Sequence, residues 1–419
     1  MTDSDDFTYD VIVVGAGVMG SSAAYQIAKR GKKVLLLEQF DFLHNRGSSH
    51  GESRTIRVTY AKDYYPKMVL HSEKSWEEAE AEVGYKVYFK TPQFDLGPKD
   101  SKSLQSVISC CRKNSIPARI LDHDEVIKEG WGKFQLSDED WIGVVNEHGG
   151  VIRPTKAVSM FQTLAFKYGA LLKDNSEVVD IKRDDSNGGI LVRTKDNQTF
   201  RGRKCVVTVG AWMQKLVQKV SDKKLPIQPL QIAAYYWKIR EGHEDDFKIE
   251  NGFPTFGSYG EPHIFGTPSL EFPGLIKICL HGGDPCDPDN RAWTEVNSVA
   301  IIAIKEWIQS RLGDLVDAVN GPVIAQPCMY SMTPDEDFII DFLGGEFGND
   351  LVVAGGFSGH GFKMAPIIGK ILAELAVDGK LVDVNSIVEL KYFRIKRFEE
   401  NPKGNLEEEN SGDHVKQCL

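Results

Sequence analysis

The sequence predicts a mixed α/β chain in which an antiparallel β-sheet domain interrupts a dinucleotide-binding one, and three observations carry that prediction. A glycine-rich turn near the N terminus, Gly15-Ala-Gly17-Val-Met-Gly20, joins an apolar run to a helical pattern. A second glycine-rich loop, Gly355-Gly356-Phe-Ser-Gly359-His-Gly361-Phe362-Lys363, follows another apolar run near the C terminus. Between them, from Leu225 to about Leu280, short runs rich in aromatic and turn residues read as antiparallel strands. Two such loops at opposite ends of a chain point to one large cofactor gripped by segments distant in sequence, and hence to a flavoenzyme.

The front unit is the most complete. Val11 to Val14 is a β-branched run of the kind buried on both faces of a sheet. Ser21 to Arg30 follows as a helix with Ala24, Ile27 and Ala28 on one stripe and Gly31 as its stop. A second apolar strand, Val34 to Leu37, ends in Glu38. In this pattern Gly15 makes the turn, Gly17 admits a pyrophosphate to the backbone, and Gly20 lets helix and strand pack closely. The helix N terminus offers free N–H groups to phosphate, and Glu38 can accept hydrogen bonds from ribose hydroxyls. The fingerprint does not separate FAD from NAD, so an NAD(P)-dependent dehydrogenase stays open at this point.

Farther along, helices are predicted around Lys67 to Val83, from Ser101 to Lys113, after Pro154 to Lys167, and from Asn297 to Arg311. Trp141 to Val151 leads through Gly149-Gly150 to Arg153-Pro154, and strands are predicted in Val87 to Leu96, Ala170 to Ile181, Gly189 to Thr194 and Cys205 to Val209. The last ends in Gly210-Ala-Trp212, a second glycine turn of the kind that closes on a pyrophosphate. Asp350 to Ala354 reads as one more buried strand, with a helix starting near Pro366. The predicted division is a discontinuous cofactor domain of residues 1–92, 150–224 and 328–398, a substrate domain of residues 93–149 and 225–327, and a polar tail of residues 399–419. From Asn401 onward the tail has few core anchors, and disorder is expected there.

Composition narrows the class. The chain has 419 residues, 41% hydrophobic, with a net charge of −10, an unfavourable field for nucleic acid or an anionic membrane. Seven cysteines, unclustered except for Cys110-Cys111, contain no C-x-x-C pair, so neither a disulfide framework nor a metal site is indicated, and a reducing, intracellular setting fits. No run is apolar and long enough to span a bilayer. The ending Gln-Cys-Leu is not a clear peroxisomal signal, which leaves cytoplasm and peroxisome both open.

Several motifs, in order, are specific enough to carry a resemblance: Val-Ile-Val-Val-Gly-Ala-Gly, Ser49-His50-Gly-Glu-Ser53-Arg54-Thr-Ile-Arg57, Gly210-Ala-Trp212, Cys328-Met-Tyr330 and Gly356-Phe-Ser-Gly359-His-Gly361-Phe362-Lys363. From about Tyr9 to Arg397 the chain resembles the monomeric sarcosine oxidase family, most closely its eukaryotic sarcosine/pipecolate-oxidase-like branch. That resemblance implies an FAD-binding domain of the glutathione-reductase type, a monomer, and oxidation of a secondary amino acid by dioxygen to an imine and hydrogen peroxide. It implies FAD joined covalently to Cys328, with His50 and Arg54 flanking the flavin and Ser49, Ser53, Gly356, Gly359, Gly361 and Phe362 among the cofactor-binding residues. It implies that Arg57 and Lys363 hold the substrate carboxylate, that Lys277 activates dioxygen, and that His281 and Tyr330 lie near the substrate amine.

The residues themselves agree with parts of this. In Leu275-Ile-Lys277-Ile-Cys279-Leu-His281, period-two alternation puts Lys277, Cys279 and His281 on one face and the aliphatic residues on the other. A thiol that attacks a flavin needs nearby cations to ionise, and reduction of a flavin leaves negative charge that cations stabilise. The sequence departs from the family where Phe265 stands before Pro268 in place of a tyrosine. The lost hydroxyl makes the pocket more apolar, which disfavours sarcosine and favours a bulkier or cyclic secondary amino acid such as pipecolate. The same chemistry on an alkaloid-pathway amine is the alternative that Phe265 leaves open.

Overall fold

The computed structural model describes residues 8–136, 140–186, 188–291, 293 and 297–406. Its first sheet has eight strands built around Thr8–Val14. That strand lies parallel between Val34–Leu37 and Thr199–Val207, with Val11 opposite both Val34 and Lys204. Leu171–Lys173 adds a parallel strand beyond Val34–Leu37, and Leu351–Gly355 adds one beyond Cys205–Val207. Val11 and Val13 enter one hydrophobic core while Ile12 and Val14 enter another, so both faces of this sheet are covered. An unbroken apolar run is therefore what the sequence had to supply.

Three helices, Val18–Lys29, Pro154–Lys167 and Ala365–Asp378, pack together on one face. The outer two are far apart in sequence and both pack on the first. At Gly369 the approach is so close that a Cβ would lie 2.2 Å from Ser22 Oγ.

The second sheet has nine strands, most of them antiparallel. Gln228–Lys238 pairs with Ile324–Met332 along its length, from Gln228 opposite Met332 to Tyr236 opposite Ile324. Its far end pairs with Leu275–Leu280, placing Lys277 opposite Tyr236. Cys328, opposite Ile232, thus comes onto the same sheet as Lys277 although 51 positions separate them. Phe94, Phe134, Trp237, Phe256 and Trp307 form the core beneath this sheet. The helix Ser298–Arg311 closes that core, and its first turn is capped by Asn297, which accepts from Ala300 N at 2.9 Å. Such a cap stabilises a helix by about 1 kcal/mol. A small third sheet joins Arg54–Arg57, Gly149–Ile152 and Tyr88–Lys90.

Three expectations change. Ala170 to Ile181 forms two strands, Leu171–Lys173 and Val178–Arg183, because residues 174–177 turn back along the segment after Glu38, where Ser176 N donates to Glu38 O at 2.7 Å. The expected boundary between residues 327 and 328 falls inside the strand Ile324–Met332, whose ladder to Gln228–Lys238 runs unbroken past it. The tail is ordered as far as Leu406: Asn405 N donates to Asp335 Oδ2 at 2.9 Å and its amide to Asp337 Oδ2 at 2.7 Å. Residues 407–419, the rest of the predicted tail, lie outside the described residues. Among the described residues no helix is long and apolar enough to cross a membrane.

Candidate active site

Two cavities meet end to end, and Ser48 and Gly210 line both. The first is walled by Gly15, Gly17, Glu38, Ser49, His50, Gly210 and Trp212. Its geometry follows from the opening glycines: Gly15 has φ +95°, and a Cβ at Gly20 would sit 1.8 Å from the Gly15 carbonyl oxygen. Gly20 itself reaches neither cavity; it acts by letting helix and turn touch. Glu38 is buried, its Oε2 accepting from Ala16 N at 2.8 Å and its Oε1 from Phe40 N at 3.1 Å. A carboxylate has about four acceptor sites, so capacity for ribose hydroxyls remains. Val18 N donates to Ser49 Oγ at 3.1 Å, which fastens the 43–51 loop over the helix N terminus. Trp212 packs edge-on to Phe40 and donates from Nε1 to Asp289 Oδ1 at 2.6 Å, closing the other side.

The second cavity gathers Arg54, Phe265, Lys277, His281, Cys328, Tyr330, Gly359, Gly361, Phe362 and Lys363 from segments spread over most of the chain. Arg54 is held rigidly, donating to the backbone carbonyls of Ser48, His50 and Ser53 at 2.8–2.9 Å and to Cys328 Sγ at 3.6 Å. Burial pushes the Cys328 thiol up, but the neighbouring His50 ring and the charge of Arg54, 3.6 Å away, outweigh it and bring the pKa down to about 6. A thiolate at neutral pH is thus built into the site. Lys277 is buried and donates to the Ser53 carbonyl at 3.0 Å; its burial lowers the ammonium pKa to about 8. Its Nζ stands 6.0 Å from the Phe265 ring centroid. The alternation read from the sequence is real: Ile276 and Ile278 enter the core, while Lys277, Cys279 and His281 face the cavity. The His281 ring lies 5.3 Å from that of Tyr330.

Not every expected residue arrives here. Arg57 is fully buried outside the wall of either cavity, its guanidinium 4.4 Å from the Tyr60 ring centroid and in electrostatic contact with the buried Asp95. A desolvated guanidinium is held by the nearest anion and aromatic face, and both lie behind the cavity. Lys363, by contrast, reaches the wall, and its Nζ donates to Tyr60 Oη at 3.2 Å and to the His360 carbonyl at 3.1 Å. Ser53 also stays out of the wall, contributing its carbonyl to Lys277 and Arg54 while its Oγ pairs with Thr267. Gly356 lies behind the loop, packed against Thr333.

Two residues went unread in the sequence. His360 lines the second cavity, its ring bonded to Tyr60 Oη at 3.2 Å and to the Glu336 carbonyl at 2.9 Å, and burial drives its pKa well below the usual histidine range. Its place inside a glycine loop was the available signal. Thr208 grips the opposite turn, its Oγ1 donating to the Val14 and Gly15 carbonyls at 3.0 Å; nothing in the local sequence marked it.

These features fit a flavin dinucleotide. Gly210 has open space where a Cβ would stand, at the junction of the two cavities. The first cavity offers helix amides and an acid, and the second a ring-sized slot with cations on its wall. The FAD dependent oxidoreductase (DAO) family model matches residues 10–375. A probable sarcosine oxidase of Arabidopsis thaliana is 58% identical over 409 residues, covering 97% of both chains. The chain belongs to the sarcosine oxidase family of FAD-dependent oxidoreductases. The human peroxisomal sarcosine oxidase is 34% identical, covering 95% of this chain and 98% of its own. An L-proline dehydrogenase from P. horikoshii shares the fold at TM-score 0.78 and 23% identity, over 94% of this chain and 98% of that one. Like its relatives, this member is a flavin-dependent amine oxidase.

Proposed function

We propose that the enzyme oxidises the C–N bond of a secondary amino acid, N-methyl or cyclic, with dioxygen as acceptor, giving an imine and hydrogen peroxide. The observation that carries this reading is the second cavity, where three cations, Arg54, Lys277 and Lys363, converge beside an ionised Cys328. Bound FAD supplies a two-electron acceptor for the hydrogen leaving the carbon next to nitrogen. Gly15, Gly17, Glu38 and Ser49 would hold its dinucleotide part, and Cys328, with His50 and Arg54, would hold its ring. The thiol beside the Arg54 guanidinium supports covalent attachment through sulfur.

Lys363 is the cation in reach of a substrate carboxylate, and Tyr60 and Arg57 stand behind it. An acidic chain needs such a local cation to hold an anionic substrate. His281 and Tyr330, on the cavity wall with rings 5.3 Å apart, keep the amine environment polar. Lys277 presents the ammonium that stabilises negative charge developing on dioxygen. Phe265, beside Lys277, contributes a bare ring to the wall, which supports a substrate larger than sarcosine, such as pipecolate. The protein is proposed to act as a monomer inside the cell.

The test is anaerobic. Sarcosine, pipecolate, proline and N-methyltryptophan are each mixed with the purified yellow protein, and flavin bleaching is followed before air is admitted. Bleaching by a secondary amino acid, then peroxide on aeration, is expected; bleaching by none of them overturns the substrate class.

A further inference from the structure

A chain of hydrogen bonds runs along one side of the second cavity, and its donors and acceptors can be assigned in order. His360 is buried, with Nε2 2.9 Å from the Glu336 carbonyl and Nδ1 3.2 Å from Tyr60 Oη. A carbonyl only accepts, so Nε2 carries the hydrogen. Burial and the charge of Lys363 keep the imidazole from taking a second proton. Nδ1 is therefore bare and accepts from the Tyr60 hydroxyl. The phenol hydrogen is spent there, and Tyr60 Oη receives Lys363 Nζ at 3.2 Å on its lone pairs. Lys363 also donates to the His360 carbonyl at 3.1 Å. Both of these acceptors are neutral, so they place the ammonium without cancelling its charge.

Each joint is fixed from outside. The His360 ring stands 4.7 Å from that of Phe338 and edge-on to Tyr65 at 5.1 Å, and Tyr65 is tied to Asp337 Oδ1 at 2.7 Å. Glu336 is held at φ +60°, a conformation costly for a residue with a side chain, and its carbonyl is the one that meets Nε2. Tyr60 is backed by the Arg57 guanidinium, 4.4 Å from its ring centroid. The chain ends on a carbonyl, which passes no proton onward, so it holds position and does not conduct.

We propose that His360 is a positioning residue for the substrate carboxylate: as the Nε2–H tautomer it turns the Tyr60 hydroxyl so that Tyr60 accepts from Lys363 and keeps that ammonium at the cavity wall. The inference rests on the reading that Lys363 receives the carboxylate. Without an acceptor at Nδ1 the phenol hydrogen can swing toward Lys363, where two donors oppose each other and the ammonium loses its place. Binding then weakens, while hydrogen removal from substrate already bound stays nearly as fast.

The experiment uses the flavin-loaded full-length protein. With nitrogen-labelled histidine, the His360 signals, assigned by their disappearance in His360→Asn, are expected to show a protonated Nε2 and a bare Nδ1. Anaerobic bleaching is then followed against pipecolate concentration. His360→Leu is expected to raise the half-saturating concentration about tenfold and to change the limiting rate by about twofold at most. His360→Asn, which sets an oxygen near the place of Nδ1, is expected to recover most of the affinity; a merely structural role would show equal loss in both. Should these variants fail to fold, Tyr60→Phe removes the hydroxyl while keeping the ring beside Arg57, and is expected to weaken pipecolate about tenfold as well. A hydrogen on Nδ1 in the wild type, or wild-type affinity in His360→Leu or Tyr60→Phe, overturns the proposal. Wild-type affinity in Lys363→Met overturns the reading of Lys363 instead.

Discussion

Replacing Lys277 by methionine separates the two halves of the catalytic cycle. The lysine is buried against the Ser53 carbonyl, and burial brings its pKa from 10.5 to about 8. A fall of that size means the fold gives up roughly 3 kcal/mol to keep an ammonium there. The sign is that of a depressed base. The unfavourable contribution is complete below pH 8, shrinks as pH rises toward 10.5, and vanishes above it. Lys277→Met should therefore be more stable than wild type at pH 7, with the difference closing by pH 10, as urea melts at the two pH values would show. A cation near the charge that develops on dioxygen stabilises it by about 3 kcal/mol at an effective dielectric constant of 20, so reoxidation should slow roughly 100-fold or more. Stopped-flow reduction by substrate without oxygen should change far less. In wild type, reoxidation should also decline as pH climbs through about 8, and the variant should lose that dependence. Equal slowing of both half-reactions would refute the assignment.

Other outcomes test neighbouring parts of the site. Because Cys328 ionises at about 6, flavin attachment should weaken only as pH drops below that value; a midpoint near 8.5 in the rate of acid-stable colour would show that His50 and Arg54 do not act on the sulfur. Gly359→Ala should cost bound flavin, since φ is +79° and the new methyl would meet the Tyr330 ring at 2.9 Å; an unchanged flavin-to-protein ratio would show that the loop yields easily. Phe265→Tyr should shift the specificity ratio toward sarcosine by about tenfold over pipecolate, the scale of one hydrogen bond to a buried polar group. An unmoved kcat/KM ratio would remove Phe265 as the cause of substrate choice.

The sequence carried the architecture where local chemistry decides it. Val11–Val14, Gly15 to Gly20 and Glu38 each needed only their immediate neighbours to be read, and the alternation through Lys277 put it on the right face of its strand while leaving open whether that face was solvated or lined a cavity. What stayed hidden was set by long-range packing. Arg57 looks like a clamp in sequence, yet Asp95 and Tyr60, brought from elsewhere, hold it behind the cavity. The polar stretch from Asn401 looked unanchored because its partners, Asp335 and Asp337, lie on a different segment. Thr208 bonds two carbonyls of a turn nearly two hundred positions away. None of these could be inferred from spacing.

The turn at residues 401–406 bears on the grip of the flavin slot. Asp337, whose carboxylate Asn405 secures, and its neighbour Glu336 present carbonyls to Thr333 and His360, and Thr333 in turn meets Ser358. The loop around the flavin slot is thus wedged from below by a turn that follows it in the chain. Trimming the protein back to residue 400 should therefore release colour before it abolishes folding.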